Sequence, residues 1–428
     1  MYLTRLLRTF AVAVALVPGV GSADVLDLNA LIEEALEKNP SLATLKHRWN
    51  AFEARVPQAG ALMDPMVRFD AMNLPTSSFS FGRTPMSGKS IMISQKLPFP
   101  GKLSGMEKMA RHAAGAAGEQ YEDRESGIVN LVKQAYYTLA FLDRAIAITR
   151  ENESLLRDLI RIAQSKYAVG RGLQQDVLKA QVSLSSLKDR LIHLSTERAV
   201  TEAKLNLVLN RSPQGQVGNP GEITLTPIQF SLEEIQQAAL DTRPALKGME
   251  HAILKWKAAE DLARRMIWPD FTLSLAYRQR DRIAGDPVKG ADFLSFGVGM
   301  NLPLFKGRKQ RQQVVEAQAN IRMAQSQEES VRQQILFQTR VAFLEIERHS
   351  EEATLFRTAI LPQAEQSLES AMSGYQVDKV DFLTLLNNQV TLFNFEIDYY
   401  RHVTGHEKKL AELEAVVGRP LDRTERSW

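Results

Sequence analysis

Cysteine is absent from the chain. That excludes disulfides, thiolate metal sites and a cysteine nucleophile, and no lipid anchor on an N-terminal cysteine is expected. An excess of one charge is also missing: 53 Lys and Arg stand against 50 Asp and Glu, with no basic run. A nucleic-acid partner is therefore not expected. There is no phosphate loop, no Gly-x-Ser-x-Gly and no His-Glu-x-x-His. No catalytic residue, no cofactor and no metal site is expected, so energy for any transport must come from a partner. Long apolar runs are scarce too. The only one, Phe10 to Val20, is shorter than the roughly 20 residues that a spanning helix needs.

That run follows Arg5 and Arg8 and precedes Gly21-Ser22-Ala23 and Asp24. A positive start, a short apolar stretch and small residues have the layout of a signal peptide, here residues 1–23, cleaved after Ala23. The expected product is exported, and if it enters a membrane it does so by a route other than a transmembrane helix.

What the sequence does contain is itself, twice. "YAVGRGLQQDVLKAQ" (Tyr167 to Gln181) lies over "YQVDKVDFLTLLNNQ" (Tyr375 to Gln389) at an offset of 208. "ALEKNPSL" (Ala35 to Leu42) lies over "ALDTRPAL" (Ala239 to Leu246) at 204, and "QKLPFPGK" (Gln95 to Lys102) over "NLPLFKGRK" (Asn301 to Lys309), with Leu-Pro pairs 205 apart. "LNLVLNR" (Leu205 to Arg211) lies over "LEAVVGR" (Leu413 to Arg419), again at 208. Ordered landmarks at a nearly constant offset indicate a duplicated unit. The repeats are placed at 24–220 and 221–428, joined by "RSPQGQVGNPGE".

Each repeat reads the same way. A helix comes first, Leu28 to about Val56 and Leu232 to about Met266. Two alternating segments follow, at about 64–73 and 89–98, then at about 269–280 and 292–304. Leu294, Phe296, Val298, Met300 and Leu302 face one way, and Ser295, Gly297, Gly299 and Asn301 the other. Val67, Phe69 and Ala71 likewise oppose Arg68 and Asp70, and Ile91 and Ile93 oppose Ser90, Met92 and Ser94. Period two with one apolar face predicts strands. Then come long helical hairpins at 101–210 and 307–417. The first arm runs without proline from Gly101 to about Tyr167, and the second hairpin has Pro362, where a kink is expected.

Four strands cannot close a barrel, for which about eight are the practical minimum. An open edge with an apolar face aggregates in water and is forbidden in lipid. Three copies would supply twelve strands, with the apolar faces toward lipid and the Ser, Thr, Gly and Arg faces lining a lumen.

The duplicated strand-strand-helix-helix plan, the Leu-Pro then Gly-Lys after the second strand and the Tyr-x-x-Gly…Asp-Val-Leu…Gln turn resemble the TolC-type outer-membrane efflux family. "SQKLPFPGK" (Ser94 to Lys102) is most similar to its heavy-metal branch. The resemblance covers essentially all of the chain after Ala23. It implies a mostly α protein with a membrane β-barrel: a homotrimer whose 12-stranded barrel continues into a coiled-coil periplasmic tunnel. It implies a place in the bacterial outer membrane, in contact with its lipid. The implied partners are a periplasmic adaptor (membrane fusion) protein and an inner-membrane pump of the resistance-nodulation-division type. The implied function is a passive efflux duct for small molecules or heavy-metal cations. Two other readings stay open: a duct for type I protein secretion, and a trimeric coiled-coil adhesin or stalk, against which the duplication and the strands in both halves count.

By the same resemblance, the two Tyr-to-Gln segments form the periplasmic tip. Val169, Gly170, Arg171 and Gly172, with Val377, Asp378, Lys379 and Val380, match the adaptor-contact turns, although Asp378 stands where glycine is usual. Read as turns alone, they supply positive φ and positive charge at helix ends. The family's aperture acid matches Asp176. In the second repeat Thr384 and Asn387 occupy the corresponding positions, and Asp381, on the face of Thr384, offers a displaced acidic ring. The plainer role for both aspartates is to favour a helix N-terminus. His402 and His406 share a helical face, but no third ligand lies nearby in sequence, so surface histidines are expected. Met63, Met66 and Met72 are expected to face lipid or pack rather than bind copper(I).

Overall fold

The structure, a computed structural model, describes residues 26–421. The expected signal peptide lies outside them. The chain divides into two compact units. One is built from the segment ending at Glu33, Val132–Leu225 and His349–Lys408; the other from Glu34–Leu131, Thr226–Arg348 and the segment from Lys409 on.

Each repeat opens with two helices where one was expected: α1 (Leu28–Lys38) and α2 (Pro40–Gly60), then α5 (Leu232–Thr242) and α6 (Pro244–Arg265). The breaks fall inside the landmarks "NPSL" and "RPAL". Proline clashes with a helical conformation in the residue before it, and Asn39 (φ −69°, ψ 120°) and Arg243 (φ −60°, ψ 118°) are extended accordingly. Proline lacks the donor that a first helical position has no use for. Asn39 Oδ1 accepts the N–H groups of Ser41 (3.0 Å) and Leu42 (3.3 Å). Ser231 and Glu234 form a reciprocal capping box at the start of α5.

The strands are β1 (Met66–Met72), β2 (Gly88–Leu97), β3 (Phe271–Gln279) and β4 (Phe293–Met300). They form one antiparallel sheet in the order β1-β2-β3-β4, so the two hairpins, some 200 residues apart in sequence, join through β2 and β3. The register keeps the alternation in phase. Phe69, Ile91, Tyr277 and Leu294 lie side by side, as do Val67, Ile93, Leu275 and Phe296. The opposite face carries Arg68, Met92, Ala276 and Ser295 in one row and Asp70, Ser90, Arg278 and Phe293 in the next. The apolar face is bare: Phe69 is 76% exposed, and Leu294 and Phe296 72% each. Met63, Met66 and Met72 are exposed as well, but Met66 and Met72 lie on the face of Arg68 and Asp70 and not on the apolar face expected to meet lipid. The β3–β4 loop is pinned by a buried ion pair from Arg280 to Asp286 (2.6 Å). The Asp286 carboxylate also accepts the N–H groups of Gly290 (2.9 Å) and Val288 (3.3 Å), and these bonds, Gly290's foremost, hold it below its ordinary range.

Where the sheet meets the helices, Lys102 is buried and its ammonium donates to the Trp268 carbonyl and to Asp270 Oδ1, both at 2.7 Å. Asp270 also accepts the Phe99 N–H (3.0 Å), and the Phe99 and Trp268 rings stack at 5.3 Å. Burial alone would raise the Asp270 carboxyl; the bonds from Lys102 and Phe99 bring it below the usual range. This lock is the physical content of the Gly-Lys that follows Leu-Pro. Gly101 takes φ +87°, which a side chain would strain.

The long helices are α3 (Lys102–Ala168) and α4 (Gln174–Val208), then α7 (Gln310–Leu355), α8 (Leu361–Gln376) and α9 (Phe382–Val417). At 67 residues, α3 runs about 100 Å at 1.5 Å per residue. Near Pro362 the irregularity takes the form of a π-helical stretch, Phe356–Ile360, just upstream. The helix runs on through this stretch into α8, with Leu355, Ile360 and Leu361 all in the α region, and the widened turn accommodates a proline that has no N–H to donate.

Candidate functional site

The turns that end α3 and α8 repeat one another bond for bond at the 208-residue offset. Gly170 N–H donates to the Tyr167 carbonyl (3.0 Å) and Arg171 N–H to that of Lys166 (2.9 Å). In the second turn Asp378 N–H donates to Tyr375 (3.3 Å) and Lys379 N–H to Gly374 (2.9 Å). Both are helix-ending motifs that need one residue in the left-handed region. Gly170 supplies it at φ +73°, and Asp378 supplies it at φ +61°.

Aspartate is among the few residues with a side chain that tolerate this conformation. Here it also gains a partner. Lys166, on α3, donates to Asp378 Oδ1 at 2.5 Å and also to the Tyr375 carbonyl, with its ammonium 4.1 Å from the centre of the Tyr375 ring. That hydrogen bond holds the Asp378 carboxyl below its ordinary range, so it stays charged. Sequence reasoning missed Lys166. It precedes Tyr167, which the second repeat matches with Tyr375, but has no counterpart there itself, since Gly374 stands 208 residues on.

Beneath the turns lies a core from four helices: Leu156, Leu159 and Ala163 of α3, Ala180 of α4, Leu368 and Tyr375 of α8, and Phe382 and Leu385 of α9. It fixes the two turns side by side. Burial, then the Asp176 and Asp378 charges, push the Tyr375 hydroxyl up. Between the turns is an open cleft of about 700 Å³, lined among others by Arg171, Asp176, Lys379 and Asp381. Val169 and Val377, next in sequence to the lining residues Gly170 and Asp378, are 70% and 62% exposed. The result is a surface with two apolar tips, a basic residue near each and acidic groups between.

The three aperture candidates are all at helix starts. Asp176 sits in the first turn of α4 and accepts the Leu173 N–H at 3.4 Å. Asp381 precedes α9 and accepts the Thr384 N–H (2.9 Å) and hydroxyl (2.8 Å). Those bonds, the backbone one first, keep the Asp381 carboxyl below its usual range. Gly172 closes against Lys166 and Tyr167, while Val380 packs on the core.

The histidines depart from expectation. His406 is 1% exposed and lies against Glu407, and the His402 side chain is only 16% exposed. They were expected on the surface because only sequence neighbours were visible. His402 instead meets His349, and Glu352 with it, from another helix.

A family model described as "Outer membrane efflux protein" matches residues 31–211 and 235–419, once in each repeat. The cobalt-zinc-cadmium resistance protein CzcC of Cupriavidus metallidurans is 21% identical over 93% of this chain and 91% of its own length. The toxin and drug export protein A of Aggregatibacter actinomycetemcomitans is 23% identical over 58% of this chain; the chain spans only 54% of that relative's length. Among solved structures, that of CusC, described for the changes accompanying folding and transmembrane channel formation, superposes with a TM-score of 0.79. It covers 92% of each chain at 17% identity, a likeness of fold.

Proposed function

Because this chain belongs to the outer membrane efflux protein family, we propose that it is the outer-membrane channel-tunnel of a tripartite efflux system. Three copies close a twelve-stranded barrel, and the helical hairpins carry the duct into the periplasm. The observation that supports this most strongly is the sheet. Its four strands hold a continuous apolar face in register, exposed in the single chain, opposite a mixed face where Ser, Thr, Gly and charged residues are interspersed with Met66, Met72, Met92 and Phe293. Such a surface is stable when closed into a barrel in lipid.

The duct is passive, and a resistance-nodulation-division pump supplies the energy. Val169, Gly170, Arg171 and Gly172, with Val377, Asp378, Lys379 and Val380, dock the periplasmic adaptor. The matched geometry of the two turns supports this, since it offers six equivalent seats per trimer. Asp176 and Asp381, with Thr384, ring the aperture, where six carboxylates draw cations in and repel one another. Capping and gating are compatible uses of one carboxylate, which keeps outward lone pairs. Heavy-metal cations are the proposed cargo, in line with the resistance protein from C. metallidurans that the chain resembles along nearly its whole length.

The test is a susceptibility panel on a deletion strain complemented in trans, covering copper, silver, zinc, cobalt and cadmium beside dyes, detergents and antibiotics. Sensitivity to metals alone supports the cargo proposed. Sensitivity to organic compounds alone replaces the cargo and leaves the duct. Sensitivity to neither moves the protein to secretion of polypeptides.

A further inference from the structure

We propose that His349, Glu352 and His402 form a binding site for a divalent transition-metal ion of the zinc class, tying α7 to α9. Among the described residues, this is the one group of three such side chains whose ligand atoms all lie within 4.8 Å of one another. His349 and Glu352 stand three apart, on one face of α7; His402 comes from α9, 53 residues from His349. His349 Nδ1 and His402 Nδ1 are 3.2 Å apart, and Glu352 Oε2 is 2.8 Å from the second and 4.0 Å from the first. Two nitrogens each about 2.0–2.1 Å from a tetrahedral ion are about 3.3 Å apart. The imidazoles are thus already spaced as ligands of one ion. Two imidazoles and a carboxylate suit zinc, cobalt or nickel, and leave a fourth position for water.

The surroundings are built around these rings. A Cβ on Gly405 would lie 2.7 Å from His349 Cε1, so only glycine leaves the ring its place. Phe356 lies 5.4 Å from the His402 ring and begins the π-helical stretch one turn after Glu352. Both imidazoles are largely buried, while the carboxylate is 36% exposed and gives an ion its way in.

The same protein carries an internal control. His112 and His251 also bring Nδ1 atoms to 3.5 Å, over Gly115, but no three-ligand group forms there. The proposal concerns the protein as a metal binder and stands whatever the duct exports.

The experiment uses the full chain, purified in detergent and stripped with chelator. It is titrated with zinc chloride by calorimetry and with cobalt chloride by visible absorption, where bound Co²⁺ reports its nitrogen and oxygen ligands. One ion per chain is expected. H349Q, E352Q and H402Q should each weaken binding at least about tenfold, since even groups behind the ligands are worth 10–100-fold, with circular dichroism and oligomer size unchanged. H251Q should bind as the parent does. E352Q alters a partly exposed side chain and so keeps the test open if a histidine variant fails to fold. A dissociation constant weaker than about 0.1 mM in the parent, binding that survives all three substitutions, or an equal loss in H251Q would overturn the proposal.

Discussion

At the scale of single residues, the most informative position is Asp378. It stands where the first repeat has Gly170 and adopts the same left-handed conformation. A β-branched residue at either place would be strained. Gly170→Val is expected to cost about 1–2 kcal/mol locally, seen as about five- to thirty-fold faster amide exchange over the turn. Asp378→Gly should leave exchange there nearly unchanged, because glycine replaces the backbone fitness and Lys166 keeps the Tyr375 carbonyl and ring as partners. Slow exchange in Gly170→Val would show that the turn does not need its positive φ. Lys102 and Asp270 form the other decisive pair. Lys102→Met would leave the largely buried Asp270 carboxylate with only the Phe99 N–H and the more distant Lys96 ammonium (3.6 Å) and should destabilise by about 1–3 kcal/mol, measured by the thermal midpoint. The sign of the pH dependence follows from the depressed Asp270 carboxyl. Its contribution is complete above the unfolded value of about 4 and is lost as pH falls through the lower folded value. The parent's midpoint should therefore drop on acidification below about pH 4, and this part of the drop should be smaller in Lys102→Met, where Phe99 and Lys96 remain. A parallel decline in both would remove the pair from the account.

Among the elements, the sheet and the paired helices behave differently. The strand alternation was legible because a side chain must go to one face or the other, and nothing else competes in a segment of seven to ten residues. Phe296→Arg on the apolar face should cost about 2–4 kcal/mol if the position sits near the bilayer midplane. The readout is the fraction of protein that folds into lipid vesicles. Ser295→Asp, on the opposite face, should leave folding intact and alter single-channel conductance and cation preference. Equal folding yields for the two variants would contradict the assignment of faces. The helix breaks at Asn39-Pro40 and Arg243-Pro244 were present in the sequence but went unread, since an apolar pattern runs across them and proline at a first helical position mimics continuity. Asn39→Ala, which removes the cap, should cost about 1 kcal/mol, measured by local exchange in the first turn of α2.

For the whole molecule, the expectation is an assembly. The purified protein should have the mass of three copies and give stepwise conductance in a planar bilayer. A monomer without conductance would return the apolar strand face to some other use. The duplication makes this economical: two turns and four strands per chain give six turns and twelve strands per trimer, so near-sixfold features come from threefold symmetry.

The amino-acid order by itself determined the periodic features, meaning strand alternation, the long helical hairpins, the doubling of the unit and the identity of the turns. Each is set by contacts within a few residues or by comparison of one half with the other. Tertiary structure alone decided which distant residues share a space. It brought Lys166 to Asp378, and Lys102 to Asp270 across 168 residues. It turned His402 away from solvent toward His349 and Glu352. Long helices permit this because a side chain's neighbours three and four residues along are fixed by the helix, while its neighbours on the next helix depend on how the two lie against each other. That alignment is carried by packing over the whole length, and no single stretch of sequence contains it.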